Sequence, residues 1–174
     1  MCGCASQSNS PAHIIFMTTN ITLKPDLARA AGECAVRSIP ASPLILIIED
    51  HKDTREMMRI WLEMRGCRVV EAEDGESGVE QSRAFKPALI LMDSQLPGMN
   101  GINTMHRIRD YVELREIPVI FVSGLAYPAD YQAAFDAGCD DYLVKPFDLN
   151  QGMKVLERHL RRSAANNRRA TALP

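Results

Sequence analysis

From Pro43 onward, short apolar runs alternate with longer stretches whose apolar residues recur every three or four positions. The runs are 44–48, 67–72, 88–92, 118–122 and 141–144. Four of the five are almost continuous in Leu, Ile and Val, the pattern of parallel strands buried on both faces. Met57, Met58, Trp61 and Leu62 form a helical stripe after the first run, and Leu149, Met153, Leu156 and Leu160 form another after the fifth. Stripes of Met and aromatic residues at this spacing read as core-facing helix. Strand and helix alternate five times, which predicts an α/β fold: an open five-stranded parallel sheet, doubly wound, with helices on both faces.

The first 42 residues lack this texture. Ser, Asn and Thr dominate the start, so residues 1–42 read as a largely disordered N-terminal extension. A short helix over 25–37 is expected, with Pro25 at its first position and Leu27, Ala31 and Cys34 on one face. Met17 is an alternative start. Residues 43–162 are expected to be the folded domain and 163–174 a basic C-terminal tail.

Charge sharpens this division. The 174 residues carry 20 Lys+Arg against 22 Asp+Glu, a net of −2. Residues 43–162 alone hold 15 basic and 20 acidic side chains, a net of −5, while both ends are slightly basic. This balance gives no overall attraction to nucleic acid or anionic membrane, and neither is expected as a partner. No apolar run approaches the roughly 18 residues of a spanning helix. Five cysteines are too few, and odd in number, for a disulfide scaffold, so a cytoplasmic, reducing setting is expected. Cys139 reads as a small buried hydrophobe.

In sheets of this kind ligands bind beyond the carboxyl ends of the strands. The first run ends in Glu49-Asp50, the third in Asp93, the fourth in Ser123 and the fifth in Lys145-Pro146. Taken singly, each is an ordinary cap or turn residue. Together they bring three carboxylates, a hydroxyl and an ammonium to one rim. Crowded carboxylates call for a divalent cation, and an all-oxygen set favours Mg²⁺ or Mn²⁺ over zinc. A hydroxyl and a lysine beside them suit a bound phosphoryl group, and an Asp carboxylate is a competent nucleophile toward phosphorus.

Residues 44–162 resemble the receiver domains of two-component response regulators. The resemblance rests on Leu-Ile-Leu-Ile-Ile-Glu-Asp at 44–50, Leu-Met-Asp-Ser-Gln-Leu-Pro-Gly-Met-Asn-Gly at 91–101, Val-Ser-Gly at 122–124 and Ala-Gly-Cys-Asp-Asp-Tyr-Leu-Val-Lys-Pro-Phe at 137–147. It implies a flavodoxin-like strand order of 2-1-3-4-5 and a phosphoacceptor at Asp93, loaded by a histidine kinase or histidine phosphotransfer protein. It implies Mg²⁺ held by Asp50, Asp93 and the backbone carbonyl of Gln95, with Glu49 helping through water. Ser123 and Lys145 would contact the phosphoryl group, and Lys145-Pro146 would be a cis peptide. Gln95 and Leu125 would tune the dephosphorylation that such a domain assists in itself. Ser123 and Tyr142 would form the switch, Tyr142 turning inward to change the face made by the fourth helix, fifth strand and fifth helix. That face would meet a downstream protein or, in a phosphorylation-dependent homodimer, a second copy.

The expected function is thus a signalling domain rather than an enzyme, working as a stand-alone response regulator because few residues follow Arg162. An alternative is a receiver excised from a hybrid histidine kinase or larger regulator. A haloacid dehalogenase-type phosphatase also uses a strand-end Asp and Mg²⁺, but its general acid would fall at Gln95, which cannot serve. His51 is expected at a helix start and His106 as one polar residue of the third helix, neither as a phosphohistidine. Asn100 and Glu49 stand where the family more often has Asp.

Overall fold

The computed structural model describes residues 42–170, with side chains described to residue 165. The expected helix over 25–37 and the alternative start at Met17 lie outside the described residues.

The five apolar runs form five strands: β1 (Leu44–Ile48), β2 (Arg68–Ala72), β3 (Leu89–Met92), β4 (Val119–Ser123) and β5 (Asp141–Val144). They pair in parallel in the order β2-β1-β3-β4-β5. Five helices connect and follow them: α1 (Lys52–Glu63), α2 (Gly75–Phe85), α3 (Gly101–Asp110), α4 (Pro128–Asp136) and α5 (Leu149–Ala170).

Side chains alternate across a strand, so the sheet divides the core in two. Leu46, Ile48, Ile90, Met92, Val119, Phe121 and Tyr142 face one side, with Val79 of α2, Met105 and Ile108 of α3, and Ala134 of α4. Ile45, Ile47, Leu89, Leu91, Ile120, Val122 and Leu143 face the other, with Met58, Trp61 and Leu62 of α1 and Met153, Leu156 and Leu160 of α5. Truncating one such side chain to Ala typically costs about 2–5 kcal/mol.

Local chemistry starts the helices. The Asp74 carboxylate accepts from Ser77 N–H at 2.7 Å at the head of α2, and the Asn100 side chain accepts from Asn103 N–H at 2.8 Å at the head of α3. Pro128 opens α4.

Two stripe positions depart from the expected core. Met57 is 49% exposed and Leu149 is 41% exposed. The buried residues of α1 are Met58, Trp61 and Leu62, spaced i, i+3, i+4, and Met57 sits one position off that face. Leu149 is the first residue of α5, at the end nearest the rim. Helix α5 also continues to Ala170, past the boundary expected at residue 162. Cys139 is buried, and burial in apolar surroundings, reinforced by Asp140 and Asp141, pushes its thiol up to about 12. It therefore stays protonated and behaves as a small hydrophobe.

Candidate functional site

The residues singled out at the strand ends converge on one rim because all strands are parallel and in register. Ile48 pairs with Met92, Met92 with Phe121, and Ser123 with Val144. The residues that follow these positions therefore emerge at the same edge.

Asp93 follows β3 and is 7% exposed. Its Oδ1 accepts from Gln95 N–H at 2.8 Å and its Oδ2 accepts from Lys145 Nζ at 2.6 Å. Lys145 follows β5 and reaches across the rim, donating also to Glu49 Oε2 at 2.5 Å. Glu49, at the end of β1, is 1% exposed. One ammonium thus bridges two buried carboxylates that would otherwise repel each other. Burial pushes the Glu49 carboxyl up, and the Lys145 bond only partly offsets it. Burial alone would lower the Lys145 ammonium, but Asp93 and Glu49 outweigh it and hold the group above its ordinary value. The Lys145-Pro146 peptide is cis, as the resemblance implies.

Backbone fit brings α3 close beneath Asp93. A Cβ on Gly101 would lie 2.6 Å from the Asp93 carbonyl oxygen and 2.7 Å from the Phe121 ring, so only glycine allows this approach.

A second cluster, of hydroxyls, lies beside the charged one. Ser123 is fully buried, and its Oγ is 2.5 Å from Ser94 Oγ. The same Ser123 oxygen accepts from Leu125 N–H at 3.0 Å. Tyr142 closes the chain by donating its hydroxyl to the Leu125 carbonyl at 3.0 Å. The Tyr142 ring is already inward, 9% exposed, stacked on Phe121 at 6.3 Å and tilted against Tyr131 at 4.5 Å. Its pocket is made by the aromatic neighbours Phe121 and Tyr131.

Several contributors were not legible in the sequence. Arg55 of α1 donates to the backbone carbonyls of Glu49 at 2.6 Å and Asp50 at 3.3 Å, fixing the chain that carries both carboxylates. Ser94, the residue after Asp93, meets the Ser123 hydroxyl across the rim. His51 does sit at the head of α1, but its imidazole turns back: Nδ1 is 2.9 Å from Asp50 Oδ1 and 3.6 Å from Glu49 Oε1. The signal for Arg55 is its spacing, one helical turn into α1, which returns a side chain to the strand end. His106 is one exposed residue of α3, as expected.

The donor set suits a divalent cation. Glu49 Oε1 is buried and lacks a hydrogen-bond partner among the described residues, a costly state for a carboxylate oxygen. Asp50 is the more exposed neighbour, with its side chain 29% accessible.

Comparisons with known proteins agree with this geometry. The profile of the response regulator receiver domain matches residues 45–157. The KDP operon transcriptional regulatory protein KdpE of Escherichia coli is 40% identical over 121 residues, covering 70% of this chain and 52% of that protein. The DNA-binding dual master transcriptional regulator RpaA of Synechocystis is 36% identical over 121 residues, covering 70% of this chain and 50% of that one. The chain spans about half the length of these curated relatives. Among solved structures, the receiver domain of the sensor histidine kinase PA1611 of Pseudomonas aeruginosa superposes with a TM-score of 0.65 at 30% identity. That match covers 69% of this chain and 98% of the other, whose active-site cleft coordinates a magnesium ion. Chemotaxis protein CheY4 of Vibrio cholerae shares the fold, with a TM-score of 0.65 at 24% identity over 68% of this chain and 98% of that one. No helix among the described residues is long and apolar enough to cross a membrane. With its matching profile, its parallel 2-1-3-4-5 sheet and its acidic strand-end rim, the chain belongs to the receiver domain family of two-component response regulators.

Proposed function

We propose that Asp93 accepts a phosphoryl group from a phosphohistidine of a partner kinase or phosphotransfer protein. The observation that carries this reading is the Lys145 ammonium bridging the buried Asp93 and Glu49 carboxylates, at 2.6 and 2.5 Å. A carboxylate oxygen of Asp93 attacks phosphorus, the P–N bond to the donor histidine breaks, and a mixed anhydride forms on Asp93. Lys145 offsets the repulsion between the attacking carboxylate and the phosphoryl oxygens. Asp50, Asp93, the Gln95 carbonyl and Glu49 are the groups that would hold Mg²⁺. When bound, that ion adds positive charge against the anionic phosphoryl group. After transfer, Ser123 exchanges its bond with Ser94 for one to a phosphoryl oxygen, and Lys145 stays paired with the new group. Water can attack the anhydride, and Gln95 and Leu125 flank that approach.

The signal leaves through Ser123. Its hydroxyl is linked by Leu125 to Tyr142, and Tyr142 underlies Tyr131 of α4. A shift of Ser123 therefore biases the face made by α4, β5 and α5, the proposed contact for a downstream protein or a second copy. Helix α1, whose head adjoins the acidic rim, exposes Met57 and Ile60, three residues apart. This apolar pair supports a docking place for the phosphoryl donor.

Intact mass after incubation with Mg²⁺ and a small acyl-phosphate donor tests the acceptor. The chain should gain one phosphoryl group and Asp93→Ala none. An unmodified chain, under conditions that load a control receiver, defeats the reading.

Within this proposal the receiver works as a stand-alone switch that signals by protein contact. A second reading, the receiving half of a longer transcriptional regulator, is favoured by relatives of about twice its span. The size of the native protein in its own cells separates the two.

A further inference from the structure

The head of α1 places an imidazole where an all-oxygen metal set was expected. His51 Nδ1 lies 2.9 Å from Asp50 Oδ1 and 3.6 Å from Glu49 Oε1. These three side chains offer ligand atoms that all fall within 4.8 Å of one another. The Nδ1 to Oδ1 contact is a hydrogen bond at 2.9 Å, and because two cis ligands on an ion with bonds of about 2.1 Å are separated by about 3 Å, an ion could take the place of the shared proton with little movement of either atom. The second, independent observation is Glu49 Oε1. It belongs to a side chain 1% exposed, has no hydrogen-bond partner among the described residues, and faces the same imidazole nitrogen. Its sister oxygen is already committed to Lys145. His51 makes no side-chain cap to α1, so its ring is not spent on the helix terminus.

We propose that His51 is a metal ligand, and that Glu49, Asp50 and His51 select a borderline first-row divalent cation over Mg²⁺. This builds on the metal site of the proposed function and changes its chemistry. A neutral imidazole offers a directed nitrogen lone pair. Mg²⁺ gains little from it, whereas Mn²⁺ gains more and Zn²⁺ and Ni²⁺ more again. Arg55 contributes indirectly, by holding the Glu49 and Asp50 carbonyls and so the direction of both carboxylates.

The test is metal binding by the full chain without a histidine tag, in two readouts. Calorimetric titration compares Mg²⁺ and Ni²⁺ for the unaltered chain, His51→Asn and His51→Ser; both replacements keep a side chain able to cap α1. Each should weaken Ni²⁺ by about tenfold or more while changing Mg²⁺ by less than about twofold. Pulsed electron paramagnetic resonance of bound Mn²⁺ should show a coupled imidazole nitrogen in the unaltered chain, lost in His51→Asn. A nitrogen-free Mn²⁺ spectrum, a nitrogen signal that persists in His51→Asn, or equal losses for both ions overturns the proposal. The Mn²⁺ spectrum of the unaltered chain depends on no variant's folding. If the chain takes a phosphoryl group yet shows no nitrogen coupling, this inference alone fails. If the coupling is present and Asp93 stays unmodified, the phosphoacceptor reading alone fails.

Discussion

The rim of the sheet has a charged half and a hydroxyl half, and they are held by different physics. In the charged half, Lys145 balances Glu49 and Asp93, three side chains drawn from the ends of β5, β1 and β3. Each charge there is needed by the others, because a buried carboxylate without a partner is costly. In the hydroxyl half, Ser94, Ser123, Leu125 and Tyr142 are joined by neutral hydrogen bonds. A hydroxyl gives up one such bond for another at little net cost. The charged half is thus suited to hold a site in place and the hydroxyl half to change partners.

The largest effect should come from the charged half. Lys145→Ala leaves Glu49 and Asp93 facing each other, and should cost about 3 kcal/mol in urea unfolding at neutral pH. The cost has a pH signature. Glu49 is already pushed up by burial, so without Lys145 it takes up a proton readily. A carboxyl raised in the folded state contributes stability below its unfolded value, which is lost as pH rises through the folded one. The deficit of the variant should therefore widen as pH rises above the ordinary Glu value of 4.5. A deficit independent of pH would mean that Lys145 packs rather than neutralises.

Ser123→Ala should rank second, at about 1–2 kcal/mol, because it strips a partner from both Ser94 and the Leu125 N–H. Ser94→Ala should cost less than Ser123→Ala, since Ser123 keeps its Leu125 bond. If the two were equal, the Ser94 contact would carry the hydroxyl half.

Tyr142→Phe should cost about 1 kcal/mol or less, as it removes one bond to the Leu125 carbonyl and keeps the ring. Amide exchange across residues 123–144 is the sharper readout, and it should quicken at Leu125. Unchanged exchange there would detach Tyr142 from Ser123.

The smallest effect is expected outside both halves, at the start of β5. Burial pushes the Asp141 carboxyl up, but bonds from His159, the Tyr142 N–H and Arg158 outweigh it and hold the group below its ordinary 3.8. Such a carboxyl contributes stability above 3.8 that is lost as pH falls through the lower folded value. The urea midpoints of the unaltered chain and Asp141→Asn should therefore draw together in acid and separate above that pH.

How much was legible follows from which interactions are local. The inner strands β1, β3 and β4 were readable because a strand buried on both faces must be apolar at nearly every position, and 44–48 or 118–122 have no other use for such a run. The edge strands β2 and β5 carry the weaker signal, with Arg68 and Glu71 exposed. The helices were less legible at their edges. Met57 and Leu149 share their helices' spacing but fall off the buried face or beyond its end. Asp50, Asp93, Ser123 and Lys145 were readable as a set because each follows a strand, and parallel strands share one carboxyl edge.

Ser94, Arg55 and His51 were not legible as partners of that set. Their roles depend on where a side chain turns once the rim is assembled. Ser94 meets a hydroxyl 29 residues away, Arg55 reaches back to carbonyls one turn behind its helix, and His51 leaves the helix head for two carboxylates. The sequence by itself determined the layers, the strand edges and the acids at those edges, since hydrophobic period and strand position set them. Tertiary structure alone decided that Lys145 also answers Glu49, which hydroxyl holds Ser123, and that the Tyr142 ring lies inward. Those choices are made by distances of a few ångströms between segments far apart in the chain, where no local pattern reaches.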